Sequence, residues 1–230
     1  MILGFNLLID ADDTLWENNI YFERAFHRFC DFLNHSALTP VQIREVLNEI
    51  ELANAKVHGY GSMNFGRNLQ QAYRRLAERE ISVEDLEHIL SLAARILEQP
   101  LELLEGVEET LGYLWERHHL TLFTKGNPEE QRMKVDRSGL ERYFRHTAIV
   151  KEKDAAAYAR LAEERALRKS DTWMIGNSPK SDINPALEAG LNAVLVPHQN
   201  TWVLERQDLR APGVQRLLTV ERFSDLRLHF

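Results

Sequence analysis

The chain has 230 residues, 44% of them apolar and 27% charged, so it can fill a core and is not disordered throughout. Its 28 basic residues stand against 35 acidic ones, and the net charge of −7 argues against nucleic acid or an anionic membrane surface as partner. The single cysteine, Cys30, excludes an intrachain disulfide and a cysteine-rich zinc site.

The opening run from Met1 to Ile9 is half a membrane span, stops at Asp10 and lacks the basic lead of a signal peptide, so a soluble, cytoplasmic chain is expected. The near-continuous apolar pattern from Ile2 to Ile9 predicts a strand buried on both faces of a parallel sheet. The period then changes. Tyr21, Phe22, Ala25, Phe26, Phe29, Cys30 and Leu33 fall at helical spacing. So do Ile43, Val46, Leu47 and Ile50, behind a capping box with proline in the first turn, Thr39-Pro40-Val41-Gln42. The stretch from Val57 to Gly66, with three glycines, predicts a loop. Two further helices follow, one on Leu69, Ala72, Tyr73 and Leu76 and one on Leu86, Ile89, Leu90 and Ala93, the latter entered through Ser82.

From about residue 106 strands and helices alternate. Leu120–Phe123, Thr147–Val150, Thr172–Ile175 and Ala193–Val196 predict strands. Asn127-Pro128 opens an intervening helix, with Glu130 completing a capping box and Gly139 closing it; others run over Asp154–Arg168 and Ser181–Ala189, with Gly190 just past the end. The expected fold class is α/β, a doubly wound parallel sheet over residues 1–16 and 106–230, with an α-helical insert over 17–105.

The densest chemistry lies in Asp10-Ala11-Asp12-Asp13-Thr14-Leu15. Two carboxylates two residues apart at the end of a buried strand point to one side if the extended geometry persists, in the crevice where open α/β sheets bind ligands. Such like charges raise each other's proton affinity unless a cation intervenes, and oxygen ligands suit Mg²⁺.

This run resembles the first motif of the haloacid dehalogenase (HAD) superfamily, Asp-x-Asp-x-Thr. The resemblance implies that Asp10 is a nucleophile attacking phosphorus to give an aspartyl-phosphate. It makes Asp12 the acid and then the base, with its backbone carbonyl on Mg²⁺. Leu120-Thr121-Leu122-Phe123-Thr124 looks like the second motif, in which the Thr124 hydroxyl and the following amides, at Lys125 and Gly126, hold the phosphoryl group. Ile149-Val150-Lys151-Glu152-Lys153-Asp154 resembles the third, whose lysine neutralises nucleophile and phosphoryl. Lys153, adjacent to the helix start, is preferred over Lys151, and Asp154 stands where many relatives have proline.

Gly176-Asn177-Ser178-Pro179-Lys180-Ser181-Asp182 matches the fourth motif except that Asn177 replaces an aspartate. Asp10, Asp12, Asn177 and Asp182 are then the implied metal ligands, Asp182 directly or through water. The insert matches the family's C1 cap, expected to close over the site and set specificity. Within it the Gly59–Arg67 stretch draws attention, with Arg67 either meeting a substrate anion or, as we prefer, solvated. Trp16, Asn18 and Asn19 are placed to reach a leaving group, Trp16 equally to fill core. Lys125 either frames the entrance or is solvated, and Trp202 packs on the core or on a partner subunit of a homodimer. The resemblance implies a Mg²⁺-dependent phosphatase acting on a small phosphorylated metabolite. The alternatives are a phosphomutase, a haloacid dehalogenase, which needs neither Asp12 nor Mg²⁺, and a non-catalytic binding protein.

Overall fold

The computed structural model describes residues 4–230. Ile2 and Leu3 of the expected first strand lie outside them. The chain divides into two compact units, one running to Glu17 and resuming over Leu101–Phe230, the other Asn18–Pro100.

The larger unit carries a six-stranded, all-parallel sheet in the order β3-β2-β1-β4-β5-β6. Its strands are β1 (Asn6–Ile9), β2 (His119–Lys125), β3 (His146–Val150), β4 (Thr172–Gly176), β5 (Asn192–Leu195) and β6 (Leu217–Thr219). The order reverses beside β1, which puts the end of β1 at the topological switch point. Leu7 and Ile9 enter one apolar cluster with Leu120, Leu122, Trp173 and Ile175, while Leu8 joins Phe123, Tyr158 and Met174 in another. Burial on both faces is what the unbroken apolar run requires.

Asn127 accepts from the backbone N–H groups of Glu129 and Glu130 and starts α6 (Pro128–Ser138). Asp154 caps α7 (Ala155–Glu164), shorter than the expected Asp154–Arg168 because Ala166 turns into the left-handed region at φ 50°. The expected helix over Ser181–Ala189 is a wide turn, Pro179–Ile183, running into α8 (Asn184–Glu188). The strand β6 had no counterpart among the expected elements.

The smaller unit is four helices, α1 (Asn19–Leu33), α2 (Pro40–His58), α3 (Ser62–Leu76) and α4 (Val83–Ala94), around its own apolar cluster centred on Phe29, Leu47, Leu69 and Ile89. The expected capping box at Thr39 with Gln42 forms, and the helix entered through Ser82 carries one too, with Asp85. The expected loop over Val57–Gly66 is corrected: only Gly59–Gly61 leave helical geometry, and α3 begins at Ser62. Gly66 lies inside that helix because α4 approaches it closely. A Cβ there would sit 3.0 Å from the Ala93 Cβ and 3.1 Å from a Leu90 methyl. α5 (Val107–Trp115) follows in the larger unit, packing Leu111 and Leu114 into its core.

Candidate active site

The site grows from the end of β1. The Asp10 N–H donates to Ile175 O at 2.9 Å, extending the β1–β4 ladder by one step before the chain turns. Residues 11–16 form a tight turn closed by Leu15 N to Ala11 O at 2.8 Å and Asp13 N to Trp16 O at 2.8 Å, with Asp13 in the left-handed region at φ 59°. The turn sends the Asp10 and Asp12 side chains to different partners.

Lys153 Nζ donates to Asp10 Oδ1 at 2.5 Å and to Asp182 Oδ1 at 2.8 Å. Lys153 and Asp182 are only 2% and 1% exposed. Thr14 donates its hydroxyl to Asp10 Oδ2 at 2.9 Å, so both Asp10 oxygens are engaged. Asp182 also accepts from the Ser178 N–H at 2.9 Å. Its approach depends on Gly176, where a Cβ would lie 2.3 Å from Asp182 Oδ2. Burial would depress the Lys153 ammonium, but the charges of Asp10 and Asp182 outweigh it and hold its pKa above the ordinary value. Asp182 goes the other way. Burial and the neighbouring Asp10 charge push its carboxyl up to about 7, against the opposing pull of Lys153. Lys151, the alternative lysine, is exposed.

The Asn177 Oδ1 lies 3.4 Å from the Thr14 hydroxyl, while its amide nitrogen donates to Thr201 Oγ1 at 2.9 Å. Its oxygen thus faces the aspartate side. Tyr158, buried beneath, donates to Ser181 O at 2.8 Å; burial and the charges of Asp182, Asp10 and Glu205 keep it a phenol well above its usual pKa. Thr124 is buried at the end of β2, paired in register with Ile149, and the Gly126 N–H donates to Val150 O at 3.0 Å.

The Asp12 carboxylate belongs to a separate cluster. It accepts from Lys134 Nζ at 2.6 Å to each oxygen, from Gln131 Nε2 at 2.9 Å and from Trp16 Nε1 at 2.8 Å. Burial would raise its pKa, but Lys134 and these hydrogen bonds hold it below the usual carboxylate value. These contacts favour the carboxylate form of the side chain and engage both its oxygens, so the backbone carbonyl is the Asp12 oxygen that remains for the expected metal set. Gln131 also donates to Lys125 O at 2.6 Å, and Gly126, at φ 142°, clears room for it, since a Cβ would meet Gln131 Nε2 at 2.9 Å.

Trp16 is fully buried in the apolar core with its indole N–H given to Asp12, the position the core alternative requires. The Lys125 side chain is neither solvated nor open at an entrance. Its ammonium is held by Glu205 at 2.7 Å, Ser181 at 2.8 Å and Glu152 at 3.2 Å, and burial of Glu205 is outweighed by Lys125 so that the acid lies below its ordinary pKa. Asn19 and Arg67 fall in the helical unit; Asn19 contacts Glu23 at 3.5 Å, and Arg67 is exposed and bonded to Asn64 at 3.0 Å. Trp202 is half-buried at the start of a short turn, Val203–Glu205.

Sequence reasoning missed Gln131, Lys134, Glu205 and His198. Gln131 and Lys134 sit one helical turn apart behind the Asn127 cap, a face signal that could have found them. Among the described residues, one group of three offers metal-type ligand atoms within 4.8 Å of one another, namely Asp13, Glu17 and His198. It is not the set expected from the motifs.

Comparison with known proteins agrees with this architecture. Among solved structures, a haloacid dehalogenase-like family hydrolase from Xanthomonas campestris superposes with a TM-score of 0.82 at 27% identity, over 99% of this chain and 94% of that one. The magnesium-bound Bacillus subtilis protein named HAD-hydrolase YfnB gives 0.69 at 16% identity, over 99% and 98%. The L-2-haloacid dehalogenase of Xanthobacter autotrophicus, with chloropropionic acid covalently bound, gives 0.63 at 14%, over 98% of each. The last two are likenesses of fold alone. Curated proteins give no match. The family model for haloacid dehalogenase-like hydrolases matches residues 6–190, from β1 through the Asp182 turn to the end of α8. The chain therefore belongs to the haloacid dehalogenase-like hydrolases.

Proposed function

We propose that this hydrolase is a Mg²⁺-dependent phosphatase that cleaves the phosphoric monoester of a small metabolite through an aspartyl-phosphate on Asp10. The observation that carries the reading is charge balance. Asp10 and Asp182 share one ammonium in a buried centre, so among the described residues one negative charge has no counter-ion there. A divalent cation fits such a deficit. The donors that would hold it are all oxygen, namely the Asp10 and Asp182 carboxylates, the Asn177 amide oxygen and the Asp12 carbonyl, a set that suits Mg²⁺. When bound, Mg²⁺ neutralises charge on the carboxylates and on the phosphoryl oxygens.

In this reading an Asp10 oxygen bonds to phosphorus as the ester P–O bond breaks, and the leaving alkoxide takes a proton. Water then attacks phosphorus, releases phosphate and restores the Asp10 carboxylate, so that ester and water become alcohol and phosphate. Lys153 and Thr14 orient the nucleophile. The Thr124 hydroxyl, with the Lys125 amide, receives the phosphoryl oxygens, while the Gly126 amide stays with Val150 O and fixes the turn. Asp12, held as a carboxylate, is suited to take the proton from the attacking water. For the first half it must itself carry a proton, which Lys134 opposes, so an ester with a good leaving group meets less resistance. The helical unit acts as the cap of this class.

One observation favours a second reading, halide displacement from a 2-haloacid. Lys153 already bridges Asp10 and Asp182, so the nucleophile has a counter-charge without a metal. In that chemistry Asp12 has no task. The test is release of phosphate from a metabolite panel and from p-nitrophenyl phosphate, with Mg²⁺ or with EDTA, beside release of chloride from 2-chloropropionate. We expect Mg²⁺-dependent phosphate release that Asp10→Asn lowers by at least about 10³-fold without unfolding the chain. Chloride release that survives EDTA and Asp12→Asn would instead establish the second reading.

A further inference from the structure

The helical unit contains a groove in which three arginines stand without carboxylates. Tyr21, Arg24, Ala25 and Arg28 of α1 line one wall, and Leu92, Arg95, Ile96 and Gln99, from α4 and the turn after it, line the other. Each set has the spacing i, i+3, i+4, i+7, so each is one face of a helical segment. Ala25, Leu92 and Ile96 are buried and make an apolar floor within the helical core, while the three arginines are exposed at the rim. The Tyr21 hydroxyl ties the first wall to the chain just past the second by donating to Pro100 O at 3.0 Å, and within the second wall Gln99 Nε2 donates to Arg95 O at 3.1 Å.

Three cations of this unit are paired with carboxylates, Arg44 with Glu23 at 2.5 Å, Arg79 with Asp85 at 2.7 Å and His35 with Glu78 at 3.7 Å, and none of the three lines the groove. Among the described residues, Arg24, Arg28 and Arg95 have no such ion pair; Arg24 lies 5.5 Å from the Tyr21 ring centre. In a chain of net charge −7, three like charges left together around one groove are a local excess that an anion relieves.

We propose that this groove is a binding site for the phosphoryl group of a small anionic molecule, built entirely from the helical unit. The guanidinium fork pairs with phosphate oxygens two at a time, which a lysine cannot do. The cavity between the walls, about 20 Å³, takes one water-sized or oxyanion-sized group rather than a whole metabolite, so the rest of the ligand projects into solvent. The chain's overall negative charge disfavours a polyanion such as nucleic acid, whose many phosphates would face repulsion outside the groove. The inference stands whether the core unit hydrolyses phosphate esters or displaces halide.

The test is ¹⁵N NMR of the full chain titrated with inorganic phosphate, then with pyrophosphate and with sodium chloride at matched ionic strength. Expected are saturable shifts of the Ala25, Arg28, Ile96 and Gln99 amides with both phosphates, and at least as tight binding for pyrophosphate. Shifts around Asp10 report the core unit and are fitted separately. Arg28→Gln and Arg95→Gln, each on the surface, should weaken the groove affinity about tenfold or more, the scale of one lost charge-assisted contact. Arg74→Gln on α3 should leave it unchanged. Shifts that fail to saturate, that chloride reproduces, or that persist in both groove variants would overturn the proposal.

Discussion

Of the lysine–carboxylate centres in the larger unit, the two that hold the Asp12 and Asp10 carboxylates are balanced differently. Lys134 faces one carboxylate, Asp12, whose oxygens are completed by the neutral donors Gln131 and Trp16, and water still reaches the pair. Lys153 faces two, Asp10 and Asp182, and the group is almost closed to solvent, Asp10 alone keeping 6% exposure. The physical consequence is visible in the carboxyls: Asp12 lies below its ordinary pKa and Asp182 well above, near about 7. A balanced pair ties α6 to the turn after β1. An unbalanced one, at the strand ends where open sheets bind ligands, is poised to accept a further positive charge.

The sharpest way to break this comparison is Lys153→Met. It leaves two buried carboxylates with no cation, and we expect a loss of about 3–5 kcal/mol in urea unfolding at neutral pH. A loss no greater than that of Lys134→Met would mean that the two centres are energetically alike. Next is Gly176→Ala, whose methyl would overlap Asp182 and push it off Lys153. A cost of about 1–3 kcal/mol is expected, and suppression of that cost in an Asp182→Asn background would trace it to this contact.

The smallest effect is expected from Lys134→Met, about 1–2 kcal/mol at neutral pH, because one ion–hydrogen-bond partnership is lost in a place water can enter. It carries a pH signature. A carboxyl lowered in the folded chain contributes stability above its unfolded pKa, and that contribution is lost as pH falls through the folded value. The gap between wild type and Lys134→Met should therefore be full at neutral pH and close as pH drops below the ordinary carboxylate range, measured by melting between pH 7 and pH 2. A constant gap would show that Lys134 acts through packing alone.

Much of the fold was legible because its signals are local. A cap acts over three residues, as at Thr39 with Gln42 and Ser82 with Asp85, and a strand buried on both faces betrays itself by an unbroken apolar run such as Leu7–Ile9. β6 was not legible, since Leu217–Thr219 is too short for a period to show. Nor was the start of α3, because Gly66 marks a close helix crossing and its neighbours Leu90 and Ala93 are more than twenty residues away. At the candidate site the aspartates, Thr124, Asn177 and both candidate lysines were readable as residues at strand ends. Their partners were not.

The sequence by itself determined the alternation of strand and helix, the helix starts and the placing of chemistry-bearing residues at the ends of buried strands, because each depends on neighbours a few positions away. Only the tertiary structure decided that Lys153 rather than Lys151 meets Asp10, that Asp12 turns to Lys134, and that Lys125 is held by Glu205. Those closures span 143, 122 and 80 residues. Strand register and the burial of charge select them, and neither quantity exists until the sheet has assembled.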